Sequence, residues 1–145
     1  MTNREYPKRP IVGLGAVIVG PNGVVLIKRG KPPRMGAWSL PGGAQDLGET
    51  VKEGLVREVK EETGLDVQVL KFIDVVDSIN CDPDGRPQYH YTLIDACVIV
   101  TGGTLKAGSD AMDAKWFSRD EITELNLWSE TNRIIDGAIA IYENH

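Results

Sequence analysis

Residues 50–64 (TVKEGLVREVKEETG) are bounded as a helix at both ends. Thr50 stands three residues before Glu53, the spacing of a capping box, and Gly64 sits where a chain leaves a helix through a left-handed residue. Between them Val51, Leu55 and Val59 recur every four residues, and Val56 widens the stripe toward the core. A helix that is apolar on one side must lie on another layer. The flanking sequence supplies strands. Residues 11–19 (IVGLGAVIV) read as a buried strand, Pro21-Asn22-Gly23 as a turn and residues 24–29 (VVLIKR) as the return strand of a hairpin. Residues 30–37 read as a loop, 38–40 as a short extended piece, and Pro41-Gly42-Gly43 as a turn. Strands are predicted at 66–77, 88–101 and 115–117, with loops at 81–87 and 105–113. Ser118 and Glu121 repeat the capping-box spacing and open a short helix. A final helix over 129–143 carries Ile134, Ile135, Ala138, Ile139 and Tyr142 on one face. Strands and helices mix without regular βαβ alternation, so the expected class is α+β, a mixed sheet with helices packed on it. Residues 1–10 form a polar N-terminal arm and 11–145 a single domain.

Charge narrows the function. The chain carries −5 over 145 residues; residues 43–65 hold six acids and three bases, −3 of that total, leaving −2 for the other 122. Acidity this local marks a site, and it argues against nonspecific nucleic-acid binding, which needs a basic face. No apolar run exceeds strand length, so no membrane span is expected, and the polar start has no signal-peptide pattern. Cys81 and Cys97 stand in no ligand or redox spacing and read as reduced thiols of a cytoplasmic protein. Two histidines, His90 and His145, are too few for a histidine-rich zinc site.

The acids crowd where a helix tolerates crowding least. With Glu58 at 0° on the helical wheel and about 100° per residue, Glu62 lies near +40° and Glu61 near −60°, while Leu55 and Val59 fall near +60° and +100°. Like charges three and four residues apart repel. These three share one face at the border of the apolar stripe, where a helix leaves the core and lines a cleft. Gly54, on the same face one turn earlier, costs ~1 kcal/mol against alanine; it suits either an open cleft or close packing against another backbone. Three oxygen ligands within one turn suit a hard divalent cation such as Mg²⁺, which turns the repulsion into attraction. Arg57 is placed to pair with Glu53 and Glu61 and to reach back to Glu49.

The full pattern is Gly43, five residues, Glu49, seven residues, Arg57-Glu58-Val59, one residue, Glu61-Glu62, one residue, Gly64-Leu65. It resembles the Nudix box, the signature of the Nudix hydrolases, and Trp38-Ser39-Leu40-Pro41-Gly42-Gly43 before it is similar to the family as well. The resemblance implies an α/β/α sandwich around a mixed sheet. It also implies a loop–helix–loop that binds Mg²⁺ or Mn²⁺ and hydrolyses a nucleoside diphosphate linked to another moiety. On that footing Gly43, Glu58, Glu61 and Glu62 are the expected metal ligands, with Glu61 serving a second ion or acting through water. Arg57 and Glu49 orient the helix carboxylates. The expected catalytic set is Glu61, Glu62, Arg57 and Asp110. Asp110 and Asp113 are the alternatives for a base from the later loop, and Gly108-Ser109 gives Asp110 freedom to swing in.

Arg29 and Arg34 are candidate substrate-phosphate contacts. Trp38 reads as a packing residue. One of Tyr89, His90 and Tyr91 is a candidate to line a nucleoside pocket, against ordinary strand packing for all three. The stretches HYTLID (90–95) and GSDAMDAKWF (108–117) are similar to small ADP-ribose pyrophosphatases of the family. The expected partner is thus a small-molecule nucleoside diphosphate derivative, best matched by ADP-ribose cleaved to AMP and ribose 5-phosphate, with no nucleic acid and no membrane. A MutT-type nucleoside triphosphate pyrophosphohydrolase is the alternative. A non-catalytic nucleotide-sensing domain would lack one or more box acids, and all are present. A homodimer through the arm or the final helix fits many relatives of the ADP-ribose group.

Overall fold

The computed structural model describes residues 4–31, 34–108 and 110–145. Its elements in chain order are β1 (Ile11–Gly20), β2 (Gly23–Arg29), β3 (Trp38–Ser39), β4 (Gly42–Ala44), α1 (Val51–Thr63), β5 (Leu65–Cys81), β6 (Pro87–Gly103), β7 (Ala111–Phe117), α2 (Arg119–Thr123) and α3 (Ser129–Glu143). All strands belong to one mixed sheet: β1 runs parallel to β6, and the other pairings are antiparallel.

The β1–β2 hairpin diverges after a few pairs. Ile18–Gly20 face Gly23–Val25, but Gly13–Gly15 pair with β4 and Ile27–Lys28 with β3. Since β1 gives its other edge to β6 and β2 gives its other edge to β7, β3 and β4 fill the wedge between the splayed strands. The Ala16 amide donates to the Pro41 carbonyl across the apex, 2.9 Å. Pro41-Gly42-Gly43, expected as a turn, therefore continues into a paired strand.

Alternation along the strands sends side chains to two cores. On one face Val17, Val19, Val24, Leu26, Cys97 and Phe117 meet Ile122 of α2 and Ile134, Ile135 and Ala138 of α3. On the other, Leu14, Ala16, Ile18, Val25, Ala96 and Val98 meet Leu55 and Val59 of α1. The result is an α/β/α sandwich of the α+β class. Truncating Leu55, fully buried, to alanine is expected to cost ~2–5 kcal/mol.

The structure corrects several expected boundaries. β5 and β6 run well beyond 66–77 and 88–101 because they pair with each other from Leu65↔Gly103 to Cys81↔Pro87, absorbing irregularities as bulges. β7 begins at Ala111, inside the expected loop, because its whole length pairs with β2. Val56 is exposed, not core: Thr63 closes the buried arc of α1, its hydroxyl donating to the Val59 carbonyl at 2.7 Å. Gly54 is buried beneath Leu14 and Glu49, so a side chain there would strike those two side chains and neither the cleft nor another backbone.

The β5–β6 ribbon overhangs the sheet. β1 supports β6 only over Tyr91–Val98, and the far end is braced by the N-terminal segment. The Tyr6 amide donates to the Gln88 carbonyl, its hydroxyl to Asp82, and the Arg86 guanidinium stacks 4.0 Å from its ring centroid.

Candidate active site

Both helix caps form as the sequence specifies: Thr50 accepts from the Glu53 amide, Glu53 returns to the Thr50 amide, and Gly64 takes the left-handed conformation. Because Glu53 is committed to the cap, it does not pair with Arg57, contrary to expectation; among the described residues Arg57 is used by other acids. Its Nη2 and Nε donate to the two oxygens of Glu49 at 2.6 and 2.9 Å, and Nη2 also reaches the Ala44 carbonyl at 3.1 Å. Nη1 donates to Glu58 at 2.8 Å and to Glu61 at 3.3 Å. One planar fork thus stitches the loop after β4 to two turns of α1. The Arg57 guanidinium, helped by the Asp46 amide, holds the Glu49 carboxyl down at about 2. Glu49 in return, and then Glu58, push the Arg57 pKa further above its ordinary value.

Glu58 and Glu62 converge on the diglycine of β4. The Glu58 carboxylate fills the place a Gly43 side chain would take: an added Cβ would lie 2.6–2.7 Å from its three terminal atoms. The Gly42 amide donates to Glu62 at 3.3 Å. Burial first, and then the negative charge of Glu58, push the Glu62 carboxyl up to about 8, against the opposing pull of the Gly42 amide and Arg29. Glu61 is exposed and turned toward Arg57. Among the described residues no three acidic, histidine or cysteine side chains close around one point. The inner pair nonetheless fits a hard divalent ion: two carboxylates are forced together against a backbone stripped of side chains, and their mutual repulsion is what a cation would relieve.

These groups line a cleft of about 600 Å³ whose walls include Arg29, Lys31, Gly42, Gly43, Arg57, Glu58, Glu61, Glu62 and Asp110. Asp110 pairs with Lys31 at 2.9 Å; Ser109, expected to confer its freedom, lies outside the described residues. Asp113 instead faces Lys28 in the β2–β7 ladder, its carboxylate accepting from the Ala114 amide. A second cavity of about 220 Å³ adjoins the cleft across Arg29, Leu40, Gly42, Gly43 and Tyr89. Arg29 borders both spaces and Arg34 the smaller one. Tyr89 and Tyr91 line the smaller cavity, while His90 stands between them opposite Ile79 in the ladder and lines neither. Trp38 packs edge-on against Phe117, centroids 4.8 Å apart. Sequence reasoning missed Lys31, Ser39, Asp95 and Trp128 as lining residues. The signal for Asp95 was available: a lone acid in the apolar run LIDACVIV, beside a strand with glycines at alternate positions 13 and 15.

A mixed sheet clasped between helices, with an arginine-clamped acidic helix over a diglycine, is a known protein class. A family model described as the NUDIX domain matches residues 9–137, and the chain belongs to the Nudix family. It is 41% identical over 116 residues to a protein named ADP-ribose pyrophosphatase from Methanocaldococcus jannaschii, covering 80% of this chain and 66% of that one. The match to a putative nudix hydrolase 1 from Caenorhabditis elegans is 38% identical, covering 84% of this chain but 32% of the relative. The chain thus spans less than two thirds of the length of either relative. Among solved structures, a MutT NUDIX hydrolase from Burkholderia pseudomallei superposes with a TM-score of 0.75 at 28% identity, covering 90% of this chain and 98% of that one. No helix among the described residues is long and apolar enough to cross a membrane.

Proposed function

We propose that this Nudix domain is a Mg²⁺- or Mn²⁺-dependent pyrophosphohydrolase that cleaves a nucleoside diphosphate derivative, with ADP-ribose, split to AMP and ribose 5-phosphate, as the best match. The observation that carries the reading is the convergence of Glu58 and Glu62 on Gly42-Gly43, at the boundary between an acidic cleft and a smaller, partly apolar cavity. Glu58, Glu62 and the Gly43 carbonyl would hold the ion, with Glu61 reaching a second ion directly or through water. When bound, a divalent ion supplies charge neutralisation of the diphosphate and activation of water.

The remaining roles belong to the chain itself. Arg57 fixes the rotamers of Glu58 and Glu61 and ties them to Glu49. Arg29, bordering both spaces, meets the diphosphate oxygens, and Arg34 reaches the part of the phosphate nearer the smaller cavity. Asp110, across the cleft, accepts the proton of the attacking water once Lys31 is drawn to the substrate. The smaller cavity takes the nucleoside between Tyr89, Tyr91 and Trp128. The 41% identity to a protein named ADP-ribose pyrophosphatase supports this substrate. The MutT-named structure supports the second reading, a nucleoside triphosphate pyrophosphohydrolase. A homodimer through the N-terminal arm or α3 belongs to the same reading, with Phe72, Val75 and Ile79, exposed on edge strand β5, as a further apolar surface, and the two free thiols suit a cytoplasmic setting.

Incubation with Mg²⁺ and a panel of ADP-ribose, dinucleoside polyphosphates, nucleotide sugars and nucleoside triphosphates tests the assignment. AMP released from ADP-ribose supports the first reading, and monophosphate with pyrophosphate from triphosphates supports the second. Full activity in Glu62→Gln would overturn the ligand set.

A further inference from the structure

The N-terminal arm reaches the larger cleft. Arg4 and Glu5 stand on its wall together with Glu58, Glu61 and Glu62. The chain is fastened directly after them. The Tyr6 amide donates to the Gln88 carbonyl at 2.7 Å and its hydroxyl to Asp82 at 2.9 Å. Arg86 lies over the Tyr6 ring, and the Gln88 side-chain amide donates to Glu5. Tyr6 takes the left-handed conformation, φ 52°, which a bulky residue keeps only where its surroundings hold it. The arm is therefore pinned to the β5–β6 ribbon two residues after Arg4.

The charges on that wall are unequally engaged. Among the described residues the cleft carries four cations, Arg4, Arg29, Lys31 and Arg57. Arg57 is committed to Glu49, Glu58 and Glu61, and Lys31 to Asp110. Arg4 has no hydrogen-bond or ion-pair partner among the described residues. An unpaired surface arginine is common. Arg4 differs in that a pinned turn carries it to a cleft wall, so its backbone is in place before a ligand arrives and loses little freedom on binding. A guanidinium matches phosphate oxygens with parallel N–H donors. Where it acts follows from the space it lines. Arg29 borders both the cleft and the smaller cavity assigned to the nucleoside, whereas Arg4 borders the larger cleft only.

We propose that the N-terminal arm completes the substrate site: Arg4 contacts the phosphate farther from the nucleoside, and Tyr6 is the positioning residue that holds Arg4 there. This rests on the reading of the cleft as a pyrophosphohydrolase site. The arm then favours a diphosphate over a monophosphate, because only the diphosphate extends past Arg29 into the larger cleft.

The test is calorimetric titration of the whole chain in Mg²⁺ with AMP and with α,β-methylene ADP, whose bridging carbon resists hydrolysis. Arg4→Ala should weaken the diphosphate analogue about tenfold or more, the usual loss for a hydrogen bond between charged groups, and leave AMP within about twofold. Arg4→Lys, a point charge in place of a fork, should recover part of the loss. Arg4→Ala should melt with the parent, since it breaks no contact in the fold. Tyr6→Ala should lower the ratio of the two affinities as Arg4→Ala does. In that background Arg4→Ala should change the ratio by less than about twofold more, the mark of two residues acting as one unit. No effect of Arg4→Ala on the analogue, an equal loss for AMP, or no binding of the analogue by the parent overturns the proposal. So does a further loss of about tenfold when Arg4 is removed from the Tyr6→Ala variant. An Arg4-dependent preference for the diphosphate without hydrolysis of any panel compound upholds this inference and sinks the pyrophosphohydrolase reading. Hydrolysis of ADP-ribose with the same KM in the parent and Arg4→Ala does the reverse.

Discussion

Replacing Glu62 with glutamine should stabilise the ion-free protein while abolishing its turnover. The carboxyl ordinarily titrates at 4.5 and here at about 8, because it is buried beside Glu58. A raised folded pKa means that the fold favours the protonated form. Its contribution to stability is therefore most favourable below about pH 4.5 and is lost as pH rises through about 8. Each tenfold change in a proton's dissociation constant is worth about 1.4 kcal/mol, which sets an upper limit of about 5 kcal/mol at high pH. Sharing of the proton with Glu58 and local opening reduce this to on the order of 2–3 kcal/mol. For a chain of this size that is roughly 5–10 °C in Tm.

Thermal denaturation at pH 5 and pH 9 with chelator measures it. Glu62→Gln should melt several degrees above the parent at pH 9 and close to it at pH 5. Millimolar Mg²⁺ should then raise the parent at pH 9 and leave the variant nearly unmoved, because binding to the folded state stabilises by mass action. A variant that melts at or below the parent at pH 9, or with the same offset at both pH values, would refute the idea that two carboxylates are held together against their repulsion.

Gly43→Ala should remove activity while leaving far-ultraviolet circular dichroism unchanged, since its methyl group takes the seat of the Glu58 carboxylate and that side chain can swing away. Arg57→Ala should raise the Mg²⁺ concentration for half-maximal activity about 10–100-fold, the usual cost of losing a group that orients ligands; Arg57→Lys should recover little, because a point charge cannot bridge Glu49, Glu58 and Glu61 together. Thr50→Ala removes a helix cap about two turns before Glu58 and should cost ~1 kcal/mol in urea unfolding with kcat nearly unchanged. Acid titration followed by circular dichroism should show the Glu49 contribution, present above its ordinary 4.5, disappearing as pH falls toward about 2, the opposite sense to Glu62.

What could be read from the sequence was whatever local chemistry decides. Capping boxes at Thr50 and Ser118 and the exit at Gly64 are contacts within a few residues, and all three form. The reach of Arg57 back to Glu49 was legible because only seven residues lie between them, a helix cap and the first turns of α1. The pairing of Glu53 with Arg57 was not, because the two uses of Glu53, cap and ion pair, are indistinguishable by spacing. Strand pairings at long range escaped altogether. Nothing near Gly42–Ala44 announces that they pair with Gly13–Gly15, or that β7 starts at Ala111, because the deciding hydrogen bonds come from strands elsewhere in the chain. The smaller cavity shows the same limit: Ser39 and Asp95 meet there only after the splayed hairpin and the parallel β1–β6 pairing have formed.

The overhanging end of the β5–β6 ribbon has a mechanical meaning. Asn80 and Tyr89, paired with each other on the unsupported stretch, line the smaller cavity, while Glu58 and Glu62 sit on a helix anchored over the sheet. A cantilever propped by Tyr6 flexes before a beam bolted along its length does. The width of the smaller cavity is thus expected to answer to Tyr6, Asp82 and Arg86, which do not line it, more than the placing of the acids does.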